Sequence, residues 1–142
     1  MPETTSIVIS RLPDAELFQK LARRHGHFCP MSTLGLRIGW AARRLVQGTL
    51  RDAVYCMKTC ALDGIQLALD LKDLPLRESA QHRFILHDDG GWLQLALRAE
   101  ALQLAASYRQ LADPVMQDAL LQQLRTLDED QLLNVTRSQT PP

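Results

Sequence analysis

The sequence predicts an α+β fold, with helices packed on a small mixed or antiparallel sheet. Three observations carry this. Several segments place apolar residues at helical spacing. A strongly alternating hairpin lies between them. Pro, Gly and Asp punctuate the boundaries, in the predicted order α-α-β-α-β-β-α-α.

The first helix is predicted over 14–24. Leu17, Phe18 and Leu21 have helical spacing, Asp14 is placed as its cap, and Gly26 stops it. Pro30 suits the first position of a second helix, where its missing N–H costs nothing. Leu34, Ile38, Ala41 and Leu45 mark one face of that helix, and Gly48 is expected to end it. Gly35, Gly39 and Ala42 form a second stripe. Glycine in a soluble helix costs about 1 kcal/mol relative to alanine, so the stripe implies close backbone approach, within the chain or to a second copy.

Residues 50–58 read as a strand, and Thr59 caps a third helix with Leu62, Ile65 and Leu69 on its apolar side, ending near Leu71. Residues 72–81 read as a loop. The clearest local feature is the hairpin over 82–97, where Leu93, Leu95 and Leu97 alternate with polar or small residues. Asp89-Gly90 predicts a type I′ turn, which needs positive φ at both central positions. A fourth helix is expected over 99–112. Asp113-Pro114 opens a fifth, running to Leu124, and Leu127 to Leu133 holds one more turn. Residues 1–134 form the expected single domain, and 135–142 an expected disordered tail.

The chain has 142 residues and a mass of 16.0 kDa, long enough to fold on one core without disulfides or metal. Sixteen basic and sixteen acidic residues cancel, so no domain-wide basic excess points to nucleic acid. No apolar run is long enough to span a membrane. Met1 to Thr5 lacks the basic-then-apolar layout of a signal peptide, so a cytoplasmic location is expected. Disulfides are then not expected among the three cysteines.

Chemistry concentrates at His25, His27 and Cys29. Residues two apart in an extended segment share a face, and imidazole and thiolate suit zinc and similar metals. Cys29 and Cys60 each precede a helix, where the dipole favours thiolate. Asp63, one turn later, shares the Cys60 side. Core filler, metal ligand and reactive thiol all remain open from spacing alone. Cys56 reads as core. His82 and His87 read as surface or cross-strand residues, and Trp40 and Trp92 as core or dimer-interface anchors.

His25-Gly26-His27-Phe28-Cys29-Pro30, followed by Leu34-Gly35-Leu36-Arg37, resembles the opening motif of the FmdE/FwdE-like family, named for a component of formylmethanofuran dehydrogenase. Cys60-Ala61-Leu62-Asp63-Gly64-Ile65-Gln66 resembles that family's second block. The family's glycine after Cys-Pro is Met31 here, and residues 67–76 lack its glycine- and cysteine-bearing loop. A C-terminal zinc ribbon is also missing, so the chain resembles a divergent, core-only member. The resemblance implies a dimeric α+β domain with one site built from both motifs. It implies His27, Cys29 and Cys60 as ligands of zinc or another divalent transition metal, with an open coordination position. His25 is next as a ligand and is grouped with Asp63 for catalysis, Asp63 orienting a ligand.

Three functions follow as expectations. The first is a metal-binding protein acting on a small molecule or serving C1 or Mo/W-linked metabolism. The second is a metal-free thiol protein for sulfur or acyl transfer, with His27 as base and Cys60 as resolving partner. The third is a non-catalytic dimeric binding module with a degenerate site.

Overall fold

The computed structural model describes residues 10–79 and 81–142. The reading of Met1 to Thr5 lies outside them. The elements are α1 (Ala15–His25), α2 (Pro30–Leu45), β1 (Asp52–Tyr55), α3 (Ala61–Leu69), β2 (Arg83–Asp88) and β3 (Gly91–Leu97). There follow α4 (Ala99–Ser107), a 3-10 turn (Tyr108–Gln110), α5 (Pro114–Thr126), α6 (Glu129–Leu132) and β4 (Leu133–Ser138). The expected α+β class and element order hold. The sheet runs β1-β2-β3-β4, antiparallel at every pairing. One parallel bridge, Tyr55 to Leu76, continues its β1 edge.

Helix α2 is the centre of the molecule. It is buried continuously from Ser32 to Ala42, as a helix packed on several sides must be. Leu34, Ile38 and Ala41 join Tyr55, Phe84, Leu86, Leu93 and Leu95 in the main core, and Leu45 packs at its margin. Leu36 turns the other way, to Phe18 and Leu21 of α1. The glycine stripe serves contact within the chain. A Cβ at Gly35 would stand 2.1 Å from the Ala61 carbonyl oxygen, and one at Gly64 would stand 2.2 Å from the Leu36 nitrogen. Gly39 meets Ala68 in the same way. Helices α2 and α3 therefore touch backbone to backbone.

Arg37 follows the small-residue motif and is 1% exposed. Its guanidinium donates to the carbonyls of Leu124, Arg125 and Leu127 at 3.0, 3.0 and 2.7 Å. These are among the last carbonyls of α5 and the residue after it, which lack helical partners. Arg44 adds a bidentate pair to Glu129, at 2.9 and 2.6 Å.

The structure corrects several boundaries. The expected disordered tail instead supplies β4, which pairs with the whole of β3, from Leu97↔Leu133 to Trp92↔Ser138. Its anchor is Arg137, whose Nη1 and Nη2 donate to Asp88 at 2.7 and 2.9 Å. The hairpin turn is not type I′. Positive φ occurs at Gly91 (+112°), not at Asp89 or Gly90, and Asp88 Oδ1 accepts from the Gly90 N–H at 2.9 Å. This side-chain bond organises the turn in place of mirror-image dihedrals. Helix α2 ends at Val46 and not at Gly48, and α4 ends at Ser107 before tightening into the 3-10 turn.

Two outcomes test this packing. At an ordinary exposed helix position, Gly→Ala stabilises by about 1 kcal/mol. Gly35→Ala is expected to reverse that sign and destabilise by about 3 kcal/mol, because backbone must move. Urea unfolding measures it, and an unchanged midpoint contradicts the contact. Asp88 has a fully buried side chain. Arg137 first, then the Gln47 and Gly90 N–H groups, hold its carboxyl well below the usual range. A depressed carboxyl contributes stability at neutral pH that is lost as pH falls below the unfolded value of about 4. Asp88→Asn should therefore cost about 2 kcal/mol at pH 7 and flatten the acid dependence below about pH 4. Parallel acid profiles for the two proteins would contradict it.

Candidate metal centre

Three helix ends meet at one place. α1 ends at His25, and Gly26 caps it at φ +97° with its N–H on the Ala22 carbonyl at 2.8 Å. The chain then extends into Cys29, at φ −144°, just before α2. The Cys29 carbonyl accepts from the Thr33 N–H at 3.1 Å, from Thr33 Oγ1 at 2.8 Å and from Ser32 Oγ at 3.1 Å. Cys60 precedes α3, where Thr59 Oγ1 accepts from the Ala61 N–H at 3.2 Å. The backbone contact at Gly35 and Ala61 joins the opening turns of α2 and α3.

The ligand atoms of His25, His27 and Cys29 all lie within 4.8 Å of one another. The two imidazole centroids are 4.7 Å apart. Cys29 is buried, His27 is exposed and His25 lies between. Cys60 is exposed and lies against Cys29, outside that trio. The geometry thus groups His25 with the nearest potential ligands.

Asp63, in the first turn of α3, accepts from His25 Nδ1 at 2.6 Å. Arg24 stands 3.9 Å from its other oxygen. A carboxylate only accepts, so Nδ1 carries the hydrogen and Nε2 the lone pair. That Nε2 is buried and has no hydrogen-bond partner among the described residues. An unsatisfied buried acceptor costs about 1–3 kcal/mol. Two imidazoles, a thiol and a carboxylate holding one ring by its far nitrogen form a donor set that fits a zinc-like ion.

Burial, then the neighbouring Cys29, pushes the Cys60 thiol up. This corrects the expectation that its helix start would favour thiolate. Adjacent sulfurs resist gaining negative charge together, and Asp63 adds to the effect. A divalent cation supplies the compensating charge.

The cluster opens on a cleft of about 760 Å³. Met31 lines its near side, and Leu102, Tyr108 and Arg109 come from α4 and the following turn. His82 lines it too. It is half-buried, burial lowers its imidazole pKa, and its Nδ1 has no partner among the described residues. Spacing gives no signal for His82, which enters just before β2, far along the chain from both motifs. His87, by contrast, is a cross-strand residue as expected, stacked on Trp92 at 4.4 Å. Cys56 is core, fully buried against Val54 and Ile85. Arg125 of α5 stacks between Phe18 and Phe28, at 5.4 and 5.1 Å, bracing the loop between the two histidines and Cys29. That contact carries no sequence signal either, because it joins residues about a hundred positions apart.

Comparison with known proteins agrees with the two motifs. The family described as FmdE, molybdenum formylmethanofuran dehydrogenase operon, matches residues 24–136. No curated protein sequence matches significantly. Among solved structures, the chain is similar to an FmdE-like protein of tungsten formylmethanofuran dehydrogenase from Syntrophus aciditrophicus. The TM-score is 0.58 at 20% identity, over 89% of this chain and 72% of that one, which shows a shared fold. The family match takes in both motifs and reaches into the last strand, and the chain belongs to the FmdE family.

Proposed function

We propose that this chain is a metal-binding member of its family, holding zinc or a similar divalent ion through His25 Nε2, His27 and Cys29. Cys60 borders the remaining position and supplies a second sulfur. The observation that carries the reading is the buried, unpartnered His25 Nε2, held by Asp63 and grouped with His27 and Cys29 within 4.8 Å. Three protein ligands with an exchangeable position are the arrangement of catalytic rather than structural sites. When bound, such an ion supplies a Lewis acid to a small molecule in the cleft. Asp63 fixes the His25 tautomer, and Arg125 with Phe28 steadies the loop. The family description and the relative's name connect the proposed role to Mo/W-linked formyl metabolism, as enzyme or accessory.

The metal-free thiol reading draws on the adjacency of Cys29 and Cys60, but the upward push on Cys60 opposes it. A degenerate site has no reason to keep Asp63 on His25. Among the described residues no helix is long and apolar enough to cross a membrane. Free cysteines suit the reducing cytoplasm, and we place the protein there as a homodimer, a state that sedimentation equilibrium measures.

Protein purified without chelator should carry stoichiometric metal by elemental analysis. Cys29→Ser and His25→Ala should lose most of it, and Cys60→Ser only part. Full occupancy in both Cys29→Ser and His25→Ala would sink the reading. Asp63→Asn should keep the fold and weaken metal affinity by about 10–100-fold, measured by chelator competition. Unchanged affinity would remove Asp63 from the site.

A further inference from the structure

We propose that the cleft beside the histidine–cysteine cluster binds a small organic monoanion with an apolar body, its acidic group paired with Arg109 and its other end turned toward the cluster. The inference rests on the metal reading above and names the ligand class of that site.

The cleft's volume of about 760 Å³ lies within the usual range for small-molecule sites. Its two ends differ in chemistry. At one end stand His27, Cys29 and Cys60, a soft donor set. The wall between is apolar, with Leu102, Ala105 and Ala106 on α4. Two alanines in succession leave the space that larger side chains would fill. At the other end Arg109 has no acidic or hydrogen-bonding partner among the described residues. The guanidinium is a planar donor matched to a carboxylate or similar oxyanion. His82, whose Nδ1 is buried without a partner, leaves a hydrogen-bonding group unused beside the same space.

Charge narrows the class further. A cationic ligand would meet Arg109 and, in the loaded protein, the metal ion. A polyphosphate would need more cations than one arginine, and the lining contains no glycine-rich backbone cradle. A single anionic group on a short apolar body fits both ends.

The test uses full-length protein loaded with cobalt(II), whose visible spectrum reports a thiol reaching the metal. Cobalt uptake is measured first by elemental analysis. Three thiols then serve as probes by calorimetry and spectrum: 3-mercaptopropionate, 1-propanethiol and 2-mercaptoethylamine. The expected order places 3-mercaptopropionate about tenfold or more ahead of the amine, the gain of one charge-assisted contact. Arg109→Gln should abolish that preference while leaving propanethiol binding and cobalt stoichiometry unchanged. Ala106→Trp, at an exposed position, should weaken all three thiols by filling the cleft. Equal affinity for the acid and the amine, or a preference that survives Arg109→Gln, overturns the inference alone. Failure to take up cobalt overturns the metal reading and this inference with it.

Discussion

The backbone contact between α2 and α3 is the constraint on which the rest depends. Gly35 and Gly64 let the two helices interlock so closely that a single methyl at either position has no room. The contact lies in the first two turns of each helix, so it fixes the distance between the two N-termini. Cys29 and Cys60 precede those termini. Two sulfurs distant in the chain are therefore brought together by helix packing. A loop would position them less rigidly, since connecting segments are the more mobile parts of a fold.

Around that contact the polar groups hold the first motif from three sides. Asp63 reaches from α3 to His25 at the end of α1, so the ring nitrogen facing away from it is left free. Ser32 and Thr33 anchor the Cys29 carbonyl from within α2. Arg125 braces Phe28 from α5, and the end of α5 is itself held by Arg37 of α2. The arginine of the Leu-Gly-x-Arg segment thus acts on the site at a distance, through helix α5. Its role is packing and orientation, and no part of it reaches the cleft lining.

What the sequence revealed was local. Helix starts at Pro30 and Pro114, the hairpin over 82–97 and the inward face of β3 follow from capping, proline geometry and period-two alternation. β4 escaped because its identity is non-local. Its outward residues Asn134, Thr136 and Ser138 are polar, and its inward Arg137 acquires meaning only opposite Asp88. The turn type escaped because Asp88 supplies a side-chain bond that dipeptide preference does not weigh. At the site, both motifs and the orienting part of Asp63 could be read from residue types and the family resemblance. The grouping of His25 with His27 and Cys29 depends on how the left-handed cap at Gly26 turns the chain, which spacing leaves open. His82 and Arg109 join the cleft only through tertiary packing.

The direct measurement is the X-ray absorption spectrum of the protein as isolated, taken at the zinc edge. Sulfur and imidazole nitrogen together in the inner shell, at about 2.3 and 2.0 Å, with the sulfur contribution diminished in Cys29→Ser, is the result this account expects. A shell of oxygen alone, or no bound metal in protein that was never exposed to chelator, would contradict it.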